Sequence, residues 1–324
     1  MRKLNGLNMA SNTEVNRMNL PTLKYAVFLA AVFWLGTLPQ SLAAQSLDPI
    51  FADGFESGDF SHSENGFRWG RPNRTSIVRD DGCLGPNYTT CVDNTERRWE
   101  NGPGIPGRHS MRFRYPAGEA MSEQRFSIGG AYEEIWIRYW LRVPINFNMN
   151  PQGPNSSNNN QKFFALWQDG YSTQGTGGNI QWNFWRQAAN GGATFTFSMS
   201  NDSLGTGHHG AFSDFMLPED AGRWMQVVLH AKTASGNDMH DGEARIWRRW
   251  EDEADFTLIS ESTGRGFATP TSGPSGWQAG YIMGWANSTY AENTEFLLDD
   301  FMMSTSSLLK ATPRPRAPSE VEAY

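Results

Sequence analysis

Cysteine is nearly absent from this chain of 324 residues, which contains only Cys83 and Cys91. The two are separated by Leu-Gly-Pro-Asn-Tyr-Thr-Thr, a turn-forming stretch, and no histidine cluster accompanies them. That spacing does not suit a zinc site. In an oxidising compartment the pair would most simply close a small disulfide loop.

Motifs of several cofactor-dependent enzymes are also missing. The sequence has no Walker P-loop, no Gly-x-Gly-x-x-Gly after a predicted strand, no His-Glu-x-x-His and no internal repeat. Nucleotide-binding folds and zinc proteases of these types are therefore not indicated. We expect that no cofactor is required.

Charged residues are few, and their balance is acidic. They make up 19% of the chain, and the net charge is −7. Residues 1–44 contain four basic residues and one acidic residue, which leaves the remainder at −10. Because nucleic acid selects broad basic surfaces, it is a poor candidate as a partner. A polyanion would have to bind at a local basic patch.

An apolar run near the N-terminus extends from Tyr25 to Leu38. Basic residues precede it, and the small-residue segment Ser41–Ala44 follows. This layout predicts a signal peptide over residues 1–44, and hence a secreted or periplasmic protein that leaves the membrane after cleavage. The run is short for a transmembrane helix, although an uncleaved anchor is the alternative.

Turn residues and aromatic rings are plentiful, with 33 Gly, 17 Pro and 13% aromatic residues. This composition is typical of a turn-rich all-β protein. We predict one β-sandwich domain over residues 45–309, which we expect to be a monomer. Residues 310–324 form a Pro-rich tail that we expect to be disordered.

The clearest strand pattern extends from Glu133 to Val143. Its alternation predicts a core face of Ile135, Ile137, Tyr139, Leu141 and Val143, and an outer face of Trp136, Arg138, Trp140 and Arg142. Indoles stack on sugar rings, and an Arg fork matches a carboxylate. The outer face therefore predicts a glycan-binding surface. The alternative is that the indoles lie under loops and the arginines are ordinary surface charges.

Other polar candidates lie on the outer faces of later strands or in loops. The strand candidates are Lys162, Gln181, Asn183, Trp185 and His230, and the loop candidates are Tyr171, His208 and His209. The two adjacent histidines are flanked by glycines and would titrate near neutrality, although such pairs also occur by chance in loops.

Two end segments resemble carbohydrate-binding jelly rolls and concanavalin A-like domains: DGFESGD at residues 53–59 and FLLDDF at 296–301. Residues 222–248 contain Gly-x-Trp, a strand, a basic residue, Asp-Gly and a strand ending in Trp. This order is similar to the concanavalin A-like polysaccharide lyase and glucanase superfamily. The resemblance covers roughly residues 50–305 and implies an all-β fold, an antiparallel β-sandwich of the jelly-roll type.

The same resemblance implies a possible structural calcium ion. Its ligands would be Glu56, Asp299 and, as a third, Asp53, since carboxylate oxygens suit Ca²⁺. Solvated carboxylates at strand ends are the alternative.

The glucanase branch requires two carboxylates that point into one groove. The nearest carboxylate groups are Glu251-Asp252-Glu253, at a hydrophilic hairpin tip, and Glu133-Glu134, whose side chains point to opposite faces. Neither fits, so glycoside hydrolysis is disfavoured.

The lyase branch implies cleavage of an anionic, uronate-containing polysaccharide by β-elimination. Polar or basic groups neutralise the carboxylate, one side chain abstracts the adjacent proton, and another protonates the leaving oxygen. The candidates for acid and base are His230, Tyr171, His208, His209 and Lys162. The candidates for substrate binding are Arg138, Arg142, Trp136, Trp140, Gln181, Asn183 and Trp185.

Non-catalytic carbohydrate binding, or a lectin-like surface role, uses the same groove and remains the alternative. The lyase hypothesis has a geometric requirement. Arg138, Lys162, Gln181 and His230 should converge on one concave face.

Overall fold

A computed structural model describes residues 49–79, 109–149, 160–171, 174–186, 191–202 and 207–309. For Arg79, Arg186 and the segment 207–213 it describes the backbone alone. The predicted signal peptide, the Pro-rich tail and the predicted disulfide between Cys83 and Cys91 lie outside these ranges.

The described residues form two antiparallel sheets. Sheet A contains β1 (Phe51–Asp53), β3 (Thr75–Arg79), β4 (His109–Tyr115), β6 (Glu134–Arg142), β11 (Trp224–Lys232), β12 (Gly242–Trp250), β13 (Thr257–Arg265) and β15 (Thr294–Ser304). Sheet B contains β2 (Arg68–Asn73), β5 (Met121–Tyr132), β7 (Asn160–Trp167), β8 (Asn179–Arg186), β9 (Ala193–Ser200), β10 (Gly207–Met216) and β14 (Trp277–Trp285). A 3₁₀ turn at Pro218–Asp220 precedes β11. Within the described ranges, no helix has the length and hydropathy needed to cross a bilayer.

Each sheet has one of the last two strands in its interior. The order in sheet A is β13-β12-β11-β6-β15-β4-β3, with β1 paired to β15. The order in sheet B is β10-β9-β8-β7-β14-β5-β2. β15 thus joins β6 to β4, and β14 joins β7 to β5.

The core between the sheets follows from alternation along the strands. Ile135, Ile137, Tyr139 and Leu141 of β6 are fully buried, as predicted. The Tyr139 ring lies 6.2 Å from the ring of Phe164 in sheet B, so the two sheets pack face to face. Burying each large apolar side chain contributes about 1.5–3 kcal/mol. The predicted all-β antiparallel sandwich is confirmed.

Alternation fails at one position in β14. Met283 has a positive φ of 56°, and both Ile282 and Met283 are buried in the core. Gly284, at φ 153°, is consequently turned so that a Cβ there would face Lys162 and Tyr281. This irregularity shapes the surface described next.

Candidate functional site

The outward side of sheet B is polar along four neighbouring strands. We call the following set the polar face: Glu123 and Arg125 on β5, Lys162 and Trp167 on β7, Asn179, Gln181 and Asn183 on β8, and Tyr281 on β14. The residues between them, such as Phe164, Ile180 and Trp182, are buried in the core. Period-two alternation directs the polar side chains of β5 and β8 away from the core. On β7 the alternation is interrupted by a register irregularity between Lys162 and Phe164, where Phe163 and Phe164 are both buried, and this places Lys162 and Trp167 on the same face.

Strand register places these side chains in rows across the sheet. Asn183 is opposite Lys162. Ala165 lies opposite both Gln181 and Tyr281, and Tyr281 lies opposite Arg125. The small side chain of Ala165 therefore separates the Gln181 amide from the Tyr281 ring.

The three amides of β8 are buried but incompletely hydrogen-bonded. The Asn183 Nδ2 donates to Ser198 Oγ at 2.9 Å. Among the described residues, Asn183 Oδ1, Gln181 Oε1 and both amide atoms of Asn179 have no partner. Each such group costs about 1–3 kcal/mol when left unsatisfied. Three on one strand is an arrangement expected of groups that bind a polar ligand.

Lys162 is the cation beside these amides. Burial lowers its pKa from 10.5 to about 8, because the charged ammonium is desolvated. A substantial fraction is therefore the neutral amine at mildly alkaline pH, and a neutral amine can accept a proton.

Gly284 packs closely against Lys162 and Tyr281. A Cβ at Gly284 would lie 3.0 Å from the Cβ of Lys162 and 3.2 Å from Cε2 of Tyr281. Both separations are tighter than an ordinary carbon–carbon contact, so a side chain at Gly284 would displace the stem of Lys162 or the Tyr281 ring.

Two tyrosines and a tryptophan form the aromatic part of the site. The Tyr281 hydroxyl donates to the Tyr171 hydroxyl at 3.3 Å. The Tyr171 ring lies 5.5 Å from Tyr281, edge to face, and 5.6 Å from Trp167. Burial raises the pKa of both phenols, so both are protonated at neutral pH. Tyr281 is buried and Tyr171 is half-buried, which makes Tyr171 the more accessible proton donor.

An ion pair lies at the β5 side of the polar face. Arg125 Nε lies 2.6 Å from Glu123 Oε1, and about half of the Arg125 side chain is exposed. The pair is next to Tyr281 through the register of β5 and β14. The edge of the site therefore carries a cation, Arg125, whose charge is balanced by the Glu123 carboxylate.

The outer face of sheet A contains the other half of the predicted set. As alternation predicted, this face carries Trp136, Arg138, Trp140 and Arg142. These side chains are less exposed to solvent than expected. Arg138 is 3% exposed and Trp140 is 5% exposed. Trp140 packs with Trp224 and Leu297 in a small apolar cluster.

His230 lies on the same face of sheet A. Its ring stacks on Trp136 at 4.1 Å, and its Nε2 is 2.8 Å from Glu134 Oε1. Burial lowers the pKa of His230, and the hydrogen bond to Glu134 opposes that effect.

The predicted residues therefore divide between two surfaces. Lys162 and Gln181 lie on the outer face of sheet B, whereas Arg138 and His230 lie on the outer face of sheet A. Since both faces point away from the shared core, they are on opposite sides of the sandwich. The expected convergence of these four residues on one concave face is wrong, so the lyase hypothesis fails in the form that required it. A site for β-elimination on sheet B would have to consist of other residues than Arg138 and His230.

No family model matches this sequence, and no curated protein sequence matches it. Solved structures do match. An alginate lyase variant in complex with alginate tetrasaccharide is 13% identical, with a TM-score of 0.43, and the match covers 72% of this chain and 97% of that one. The alginate lyase vAL-1 of a Chlorella virus is 10% identical, with a TM-score of 0.44 and coverages of 74% and 93%. The endo-β-1,4-glucuronan lyase of the fungus Trichoderma reesei is 13% identical, with a TM-score of 0.42 and coverages of 80% and 96%. The chain is similar to these lyases at low identity.

Three further candidates lie on sheet B. Trp185 is on β8, in register with Asn160 and Thr194, on the outward side that carries the polar face. His208 and His209 belong to β10, where His208 is in register with Ser198. The side chains of the two histidines are outside what the structure describes. The predicted roles of all three candidates stay predictions.

The carboxylates expected to bind calcium are engaged separately. Asp53 accepts hydrogen bonds from the Phe55 amide and the Trp69 indole, at 2.7 Å each. Glu56 contacts His109, and Asp299 accepts from Ser110 Oγ at 3.3 Å. Among the described residues, no three Asp, Glu, His or Cys side chains are arranged to hold a metal ion. The residues as placed do not fit the calcium site that the resemblance implies.

Proposed function

We propose that this chain is a lyase that cleaves a uronate-containing polysaccharide by β-elimination on the polar face of sheet B. One juxtaposition supports the proposal. A desolvated Lys162, the Gln181 and Asn183 amides, and the Tyr281 phenol lie on neighbouring strands of one face; among the described residues, Gln181 Oε1 and Asn183 Oδ1 have no partner. The phenol of Tyr171, in the turn after β7, is hydrogen-bonded to Tyr281. These are the parts that the reaction needs.

The amides act on the substrate carboxylate. An amide group can rotate to present its N–H, and the amides of Gln181 and Asn183 then donate to the carboxylate oxygens. Because the negative charge is stabilised, the hydrogen on the adjacent C5 becomes more acidic. No unpaired cation is needed for this step.

Lys162 and Tyr171 move the protons. The neutral amine of Lys162 takes the C5 proton, and the electrons of that bond form a C4–C5 double bond. The C4–O bond breaks, and the leaving oxygen takes the proton of the Tyr171 phenol. The hydroxyl of Tyr281, which donates to Tyr171, stabilises the phenolate that forms. Proton transfer from the Lys162 ammonium, directly or through water, restores both groups.

Carbohydrate binding without cleavage is the second candidate, because the unpartnered amides and the Trp167 indole would serve binding equally well. Absorbance in the far ultraviolet separates the two candidates, since only elimination creates the unsaturated uronate. We expect absorbance to rise with at least one of alginate, glucuronan and heparin-type glycans. Retention on a polysaccharide column without such a rise would support binding alone. If the protein shows no absorbance rise and no retention, both candidates are excluded.

Export is part of the proposal, on the strength of the predicted signal peptide over residues 1–44. N-terminal sequencing of the mature protein checks it. A start at Ala44 or Gln45 is the expected result, and an intact leader would support the anchor instead.

A further inference from the structure

A cleft of about 520 Å³ lies at one end of the polar face. Trp167, Ala279 and Ser127 line it, and register places them side by side on β7, β14 and β5. The row that contains Ala165, Tyr281 and Arg125 lies two residues away along the same strands. Two residues of strand span roughly 6.6 Å, a separation comparable to one sugar unit. The cleft is thus positioned to hold the sugar next to the one that reacts.

The lining of the cleft combines small residues with one indole. Ala279 separates Trp167 from Ser127 with a small side chain, and the half-buried indole of Trp167 supplies a flat face. Beside Trp167 in register is Asn179, whose buried amide has no partner among the described residues. This combination suits a sugar ring that carries hydroxyl groups.

The charge of the cleft differs from what a uronate requires. Of the described residues that line it, none is Lys or Arg, and Asp169 is the charged one. Asp169 accepts hydrogen bonds from the Thr176 amide and hydroxyl, both at 2.9 Å, and from the Gly177 amide at 2.8 Å. Burial raises its pKa, but these bonds outweigh that effect and hold the pKa below its usual value. The carboxylate is therefore ionised at neutral pH.

A second carboxylate bound here would lose water beside the Asp169 anion and would gain no cation from the lining, because Arg68, which is opposite Ser127 in register, lies outside it. Such a loss is unfavourable. A neutral sugar avoids it, and its C–H face can stack on Trp167 while its hydroxyls reach the Ser127 hydroxyl and the Gln278 amide. The cleft therefore discriminates by charge.

We infer that this cleft is a subsite for an uncharged sugar unit adjacent to the uronate that is cleaved. The substrate is then a heteropolysaccharide in which uronate and neutral sugar alternate, rather than a homopolymer of uronates. The inference rests on the proposed function, whose reaction site defines the neighbouring position.

The test compares kcat/KM for hyaluronan, an unsulfated alternating polymer of glucuronate and a neutral amino sugar, with the values for glucuronan and polymannuronate. We expect at least a tenfold preference for the alternating polymer. The variant Gln278→Lys adds a cation to the cleft and should shift that ratio toward the homopolymers by about tenfold. The matched control Thr257→Lys adds the same charge on β13, in sheet A, and should leave the ratio unchanged.

Failure of the subsite and failure of the proposed lyase function give different results. Equal or faster cleavage of the homopolymers by the wild-type protein would overturn the subsite while confirming the lyase. An unchanged ratio in folded Gln278→Lys, checked by circular dichroism, would also overturn it.

If no polymer gives an unsaturated product, the proposed function fails and the subsite is tested by calorimetry. Tighter binding of hyaluronan oligosaccharides than of uronate oligomers of equal length would support the subsite. Equal or weaker binding would overturn it.

Discussion

Tyr281 donates its hydroxyl hydrogen to the oxygen of Tyr171, at 3.3 Å. Since the bond uses the Tyr281 hydrogen, the hydrogen of Tyr171 remains available to a ligand. Tyr281 is buried, whereas Tyr171 is half-buried beside Trp167. In the proposed mechanism the two phenols therefore have separate roles: Tyr171 is the acid, and Tyr281 positions it.

Replacement of each tyrosine by phenylalanine should separate these roles. Tyr171→Phe removes the proton donor and should lower kcat by about 10²–10⁴-fold. Tyr281→Phe removes one neutral hydrogen bond, worth about 1 kcal/mol, and should lower kcat by roughly tenfold or less. Steady-state kinetics on the preferred polymer give both values. A larger loss in Tyr281→Phe than in Tyr171→Phe would reverse the assignment.

Activity should rise with pH through the titration of Lys162. Burial lowers its pKa to about 8, and the reaction needs the neutral amine. The kcat/KM should therefore increase from pH 6, reach half of its maximum near pH 8, where half of the amine is neutral, and level off roughly one pH unit higher. Lys162→Ala should lose about 10²–10⁴-fold in kcat, while Lys232→Ala, on the outer side of sheet A, should retain wild-type kinetics. A pH profile that is flat between 6 and 9 would argue against an amine base.

Crowding of Lys162 by a side chain at position 284 should reduce activity beyond the effect of backbone strain. Gly284→Ala places a Cβ 3.0 Å from the Lys162 Cβ, in a backbone with φ 153°. Gly118→Ala is the control, because Gly118 has φ 76° and nothing within 4 Å of its Cβ position. Both variants should lose about 1 kcal/mol or more of unfolding free energy. Only Gly284→Ala should also lower kcat, as single-turnover kinetics would show. A similar kcat in the two variants would remove Gly284 from the site.

The buried His230 should make stability depend on pH. Burial lowers its pKa below the value of 6.5 for an exposed histidine, so the unfolded chain binds the proton more readily than the folded chain does. The contribution of His230 to the free energy of unfolding should be at its maximum above pH 6.5 and should decrease as the pH falls below that value. Urea denaturation of the wild type and of His230→Gln at pH 8 and pH 5 measures this. If the wild type instead gains stability at pH 5 relative to the variant, the Glu134 partner outweighs burial.

The sequence predicted well which side chains of a strand face the core. It predicted poorly which of the two sheets each strand joins. Period-two alternation correctly assigned Tyr139 to the core and Arg138 to an outer face, because that pattern is local. It could not say that Lys162 and His230 belong to different sheets. Strand pairing is set by contacts between residues far apart in the chain, and the two strands have similar patterns.

Five members of the polar face were missed: Glu123, Arg125, Trp167, Asn179 and Tyr281. For three of them the reason can be identified. Tyr281 stands in a strand where Met283 has a positive φ, so simple alternation does not describe its surroundings. The neighbouring glycines, Gly280 and Gly284, were the available signal that other groups approach this strand closely. Asn179 and Trp167 lie at strand ends, where assignment from sequence is least secure.

The central positions of β14 and β15 determine when the molecule can fold. Until residues 277–304 have been synthesised, β5 cannot join β7 and β4 cannot join β6. A shorter chain would hold four partial sheets with open edges, which are prone to associate with other chains. Because closure depends on contacts distant in sequence, we expect folding to be slow and closure of both sheets to wait until residues 277–304 have been synthesised.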